Sequence, residues 1–216
     1  MHNAIYSETI GKYRVNIFPD EWPICPVTDC DILGTFTRYY EGKRHVAETN
    51  HKNPASLLQA EFEHCKDNKM SVVFGFSVGR YERLNWKEIN WWDITEDTAD
   101  DFDGIYYISS SEVKKEYGHK KKAIKNEKNG KTEWFTPRQM AIRGMVSLLE
   151  NMRDYYEGNV YGYVIADTET GEESDSCWGF FGDFDGDVLE EAKRIVQWNI
   201  ERDKKTDVFV KDHYHV

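Results

Sequence analysis

Asp183, Asp185 and Asp187 alternate along the stretch DSCWGFFGDFDGD, and three carboxylates at that spacing could hold a divalent ion. An EF-hand loop opened at Asp183 needs glycine at its sixth position and glutamate at its twelfth. Those positions hold Val188 and Arg194, so the calcium-loop pattern fails. An amphipathic stretch follows at once, and Asp187 with Glu190 forms an acidic pair suited to a helix N-terminus, whose exposed N–H groups favour carboxylates. The cluster therefore reads first as a helix start. Metal-dependent hydrolase or nuclease chemistry through the three aspartates is the alternative.

Other patterns of chemistry are sparse. The chain has no G-x-S-x-G elbow, no G-x-x-x-x-G-K-[ST] phosphate loop, no H-E-x-x-H and no dinucleotide fingerprint. Cys177, between Ser176 and Trp178, reads as a small core residue on a strand. Cys25 and Cys30 form C-x4-C, at the loose limit of zinc spacing, with His64, Cys65, His213 and His215 as distant partners. Free thiols in a reducing cytosol are the preferred reading. His45 and His64 read as surface or core histidines rather than bases. No catalytic constellation emerges, and no cofactor is expected.

Two stretches could instead bind macromolecules. Trp86, Trp91 and Trp92 precede Asp93, Glu96, Asp97, Asp100, Asp101 and Asp103 in a polar connection. Exposed tryptophan is enriched at binding hot spots, which makes this stretch the leading protein-binding candidate. The second stretch, residues 111–132, holds 8 bases against 3 acids, within a chain of net charge −11. Its Lys114, Lys115, Lys120, Lys121, Lys122 and Lys125 read as a solvated helix end and loop, with phosphate or nucleic-acid contact as the alternative. Only Tyr117 lies inside it as an aromatic on which bases could stack, and the overall acidity disfavours nucleic acid as a partner.

The elements that must position these residues follow from periodicity. YRVNIFP (13–19) alternates as a strand, and 32–40, 71–83, 104–109, 160–166 and 174–181 read likewise. TETGEE (168–173) is a hairpin turn, with Gly171 placed for positive φ. Helices are predicted over 54–65, over 110–117 behind the Ser109–Glu112 capping box, over 137–157 behind Thr136-Pro137-x-Gln139, and over 188–205. Strands broken by a few helices, without βαβ alternation, predict an α+β fold: a mainly antiparallel sheet with two longer amphipathic helices packed on it. A length of 216 residues suits one domain, or one with a lobe inserted. The simpler reading is one domain over 1–216, with a helix-hairpin-helix core at 136–205 and a tail at 206–216. No apolar run reaches the roughly 20 residues of a membrane helix, and no signal peptide is visible, so a cytoplasmic location is expected.

The stretch NVYGYVIADTETGEESDSCWGFFGD and its following EEAK helix resemble a widespread family of uncharacterised proteins encoded by phages and prophages. That family shares a Y-G-[YF]-V-[IV] strand, an acidic turn and a D-S-C-W-G-F-[YF]-G motif. YRVNIFPDEWPICPVTDCDILGTFTRYYEGKRH and IYYISSSEVKKEYG are similar to its earlier segments. Where the family has a C-P-W-D-type turn, this chain has WWDITEDTADDFDG. The resemblance brings no established activity. It implies an accessory protein made in a bacterial cytoplasm. Together with the acidic excess, the Trp-acid stretch and the lack of a catalytic constellation, that context leads to the expectation of a host protein as partner, such as a defence or nucleic-acid enzyme, which the chain binds and inhibits.

Overall fold

A computed structural model describes residues 3–38, 60, 63, 70–78, 84–89, 102–125 and 130–214. Ten strands and three helices appear among them, and the sheets are antiparallel, so the fold is α+β with sheet dominance. The chain divides into two compact units: unit 1 is Met1–Ile24 with Glu157–Val216, and unit 2 is Cys25–Tyr156. Unit 2 is thus a lobe inserted into unit 1. The segment 136–205, read from sequence as one core, is shared between them.

Unit 1 is built on a four-stranded sheet. β1 (Tyr6–Ile10) and β2 (Tyr13–Pro19) form a hairpin; β9 (Val160–Asp167) and β10 (Glu173–Phe181) form another; the order is β1-β2-β9-β10. Alternation decides which side chains meet the helix. Tyr13, Val15 and Ile17 of β2 and Tyr163 and Ile165 of β9 are buried with Val188, Ala192 and Val196 of the helix Asp187–Tyr214. That helix, here α3, continues through 206–214, the stretch read from sequence as a tail, because its amphipathic pattern has no stop signal before Tyr214. Gly171 turns the β9–β10 connection with φ 76°, as its position in TETGEE predicts. At the far end of the sheet, the Lys12 ammonium bridges Asp167 (3.2 Å) and Asp203 (3.0 Å), and Tyr13 Oη donates to Asp203 at 2.7 Å.

Unit 2 carries a second four-stranded sheet: β3 (Thr35–Arg38), β4 (Met70–Val78), β5 (Leu84–Glu88) and β6 (Gly104–Ser109), in the order β3-β6-β4-β5. Two helices pack on one face, α1 (Ser110–Tyr117) and α2 (Pro137–Glu157). Both open on capping boxes. Ser109 exchanges hydrogen bonds with Glu112, and the Thr136 amide donates to Gln139 while the Gln139 amide donates to Thr136 Oγ1. Ala141, Met145, Leu149 and Met152 recur on one face of α2 and are buried against Phe74, Phe76 and Tyr106. Strands β7 (Lys122–Lys125) and β8 (Thr132–Phe135) pair as a separate two-stranded ribbon. The predicted helix over 54–65 lies almost wholly outside the described residues.

Candidate functional site

Only one face of the unit 1 sheet is occupied by α3. Register sets what the other face carries. Phe18 pairs with Gly162, and Asn16 with Val164, so these four share the face turned away from the helix. The Trp178 ring of β10 lies flat on Gly162: a Cβ there would fall 2.3 Å from the indole, so no other residue type fits beneath it. Phe18 and Trp178 approach with centroids 6.3 Å apart.

The chain leaving β2 completes the enclosure. The Asp20 amide donates to the Val160 carbonyl at 2.7 Å, and the Trp22 amide donates to Asp20 Oδ1 at 3.0 Å, a short side-chain-to-backbone turn. This turn sets Pro19, Asp20, Glu21 and Trp22 along a cleft of about 430 Å³ whose other walls are Phe18, Val164 and Trp178. Trp22 is 88% exposed and Trp178 48%. Large aromatic surface left in water is costly, and two indoles on one cleft form the kind of anchor that interfaces use.

Asp20 and Glu21 line the cleft, and the unit that holds it is acidic. Unit 1 holds 18 acidic against 8 basic residues, whereas unit 2 holds 21 against 20, so the chain's negative excess resides in unit 1. Tyr163, on the opposite face, is pushed up to about 12 by burial and then by the nearby Asp175 carboxylate, so it stays neutral at physiological pH. Asp203 is held below the usual carboxylate range, first by the Tyr13 hydroxyl and then by Lys12. Asp167 is lowered by the Glu169 amide and by Lys12.

The residues singled out in the sequence fall elsewhere. Trp91, Trp92, Asp93, Glu96, Asp97, Asp100 and Asp101 lie outside the described residues. Trp86 is not in a loop but on β5, half-buried against the unit 2 core, with the Arg153 guanidinium 5.5 Å from its ring. Asp103 accepts from the Val78 amide at 2.5 Å, and its own amide donates to Phe76 at 2.9 Å, so it ties the chain to β4. Both described members of that stretch therefore serve the fold.

Asp187 is the first residue of α3, and its first turn also holds Glu190. Gly186, not Asp187, takes the cap position, its carbonyl accepting from Leu189 and Glu190 at 3.1 Å each. Among the described residues no three His, Cys, Asp or Glu side chains are grouped to hold a metal ion, so Asp183, Asp185 and Asp187 do not converge. Cys177, read as core, is instead exposed on β10, an edge strand of the sheet. Cys25 and Cys30 are free thiols, the second exposed. Lys114 and Lys115 sit exposed at the end of α1, Lys120 and Lys121 in the turn after it, and Lys122 and Lys125 on β7.

Sequence reasoning missed Trp22 and Trp178 as partners. Pro19 to Pro26 reads as a Trp-bearing loop, yet the cleft that residues 22 and 178 both line depends on the β2–β9–β10 pairing. The Y-G-Y of β9 was the available signal, since a glycine inside a strand marks a close approach. No family model matches the chain, and neither a curated protein nor a solved structure matches it. No described helix is long and apolar enough to cross a membrane.

Proposed function

We propose that this chain is a non-enzymatic binding protein, a phage- or prophage-encoded accessory factor that docks on a host bacterial protein in the cytoplasm and inhibits it. The target class is a protein with a basic working surface, such as a nucleic-acid enzyme of an anti-phage defence. The observation that supports this reading is the pairing of exposed Trp22 and Trp178 on one cleft, flanked by Asp20 and Glu21, in a unit holding 18 acids and 8 bases. Aromatic rings supply apolar area and attract cationic side chains, while the acidic field steers a basic partner and discourages acidic ones.

The test is affinity capture from host lysate, followed by work on the purified captured protein. The expected result is a basic-surfaced enzyme whose activity the chain inhibits. Trp22→Ala combined with Trp178→Ala should relieve that inhibition. A purified target that keeps full activity, or one inhibited equally by the double variant, contradicts the proposal.

A further inference from the structure

Residues 111–132 run from α1 through a turn into β7, and the β7–β8 ribbon adds what that stretch alone lacked, an aromatic platform. Ala123 pairs with Trp134 and Lys125 with Thr132, so these four share one face of the β7–β8 ribbon. Trp134 is 66% exposed, and its cross-strand neighbour is only a methyl group, which leaves the indole face open. Glu133 pairs with Ile124 and Lys122 with Phe135 on the opposite face, where the Arg143 guanidinium stands 4.5 Å from the Phe135 ring. The one acid of the ribbon's described residues is therefore turned away from Trp134. Lys114, Lys115, Lys120, Lys121, Lys122 and Lys125 are all exposed within twelve residues that contain one acid, Glu116.

We infer that this ribbon is a binding site for single-stranded nucleic acid, with a base stacked on Trp134 and backbone phosphates on the lysines. The chemistry selects this occupant over others. A base offers a flat π-face to the indole whatever its sequence, and Lys125 stands on the same ribbon face to meet an adjacent phosphate. A duplex keeps its bases stacked internally, and an acidic protein or a sulfated sugar brings charge without the π-face. The near balance of acids and bases in unit 2 removes the net repulsion that the whole chain's charge suggests. This site is independent of the unit 1 cleft.

The test is fluorescence anisotropy of the full chain with labelled oligothymidylate and oligouridylate of about twelve nucleotides, a length within the range of small single-strand sites. Log affinity should fall with log salt at a slope of about −2 to −3, as expected for three or four phosphates. Trp134→Ala should weaken binding about tenfold, while Trp134→Phe restores most of it because the ring is retained. Lys125→Glu should reduce the slope by about 0.7. Trp22→Ala with Trp178→Ala should leave oligonucleotide binding unchanged, which separates this site from the docking cleft. The inference is overturned if neither oligonucleotide binds at about 50 mM salt, a condition that favours phosphate contacts. It is equally overturned if Trp134→Ala binds as wild type, or if a duplex, heparin or polyglutamate of matched length binds as tightly.

Discussion

Each unit lays an aromatic ring on a glycine of a central strand, on the sheet face opposite its helices. In unit 2, Phe102 lies over Gly75 of β4, where a Cβ would fall 2.5 Å from the ring; in unit 1, Trp178 lies over Gly162 of β9. The local device is the same and the outcome differs. Phe102 is 7% exposed, with Val73 and Ile105 of the same face also buried, so its ring is part of a core. Trp178 stays half open beside an almost fully exposed Trp22. A ring buried on its glycine contributes to stability, whereas a ring left open on its glycine is a surface held rigid for something else. This contrast, more than the acid content alone, is what supports the proposal that unit 1 docks a partner.

The contrast can be broken most forcefully by truncating both rings. Phe102→Ala should cost about 3–5 kcal/mol, the usual loss for a buried phenylalanine. Trp178→Ala should cost about 2 kcal/mol, since half of its surface never left water. Thermal or denaturant unfolding of the two variants measures the gap, and equal losses would mean that the Trp178 face is core as well. A smaller effect is expected at the start of α2. Removing the Thr136 cap by Thr136→Ala should destabilise by about 1 kcal/mol, visible as a lower denaturant midpoint.

The acid-side pH response of unit 1 should be smaller still. Asp203 and Asp167 both titrate below the ordinary aspartate value of about 3.9, so their contribution to stability is full above that pH. It is lost as pH falls through their lowered values. Asp203→Asn should therefore reduce the melting temperature at neutral pH, and the difference from wild type should shrink as acidification protonates Asp203 in the folded chain. A difference independent of pH would show that the Lys12–Asp203 and Tyr13–Asp203 contacts contribute nothing through charge.

Much of the scaffold was legible in the residues. YRVNIFP alternates cleanly and is β2; GIYYIS is β6; Thr136-Pro137-x-Gln139 marks the start of α2, and Gly158, at φ 76°, follows its end. These signals are local, so one strand or one cap carries them. What failed was long-range or sparse. β5 was absorbed into a polar connection because LNWKE has only Leu84 and Trp86 facing inward and three polar neighbours. β7 was hidden by its lysines, which say nothing of strand pairing, and β8 by its length of four residues. The unit 1 cleft joins residues 22 and 178, and Trp134 reaches the lysines only through the β7–β8 register. The two halves of the unit 1 cleft lie far apart in the chain, whereas Lys125 and Trp134 are near neighbours whose shared face only the strand register reveals.

The central claim is that the open indoles of unit 1 receive a basic partner. Nuclear magnetic resonance of the tryptophan indole N–H signals, during titration of the full chain with an oligo-arginine peptide, tests it directly. Saturable shifts at Trp22 and Trp178, with Trp86 unmoved and the response at Trp22 lost in Trp178→Ala, are the predicted result. Signals of Trp22 and Trp178 that stay still while the peptide binds elsewhere, or an equal shift at Trp86, would contradict the account.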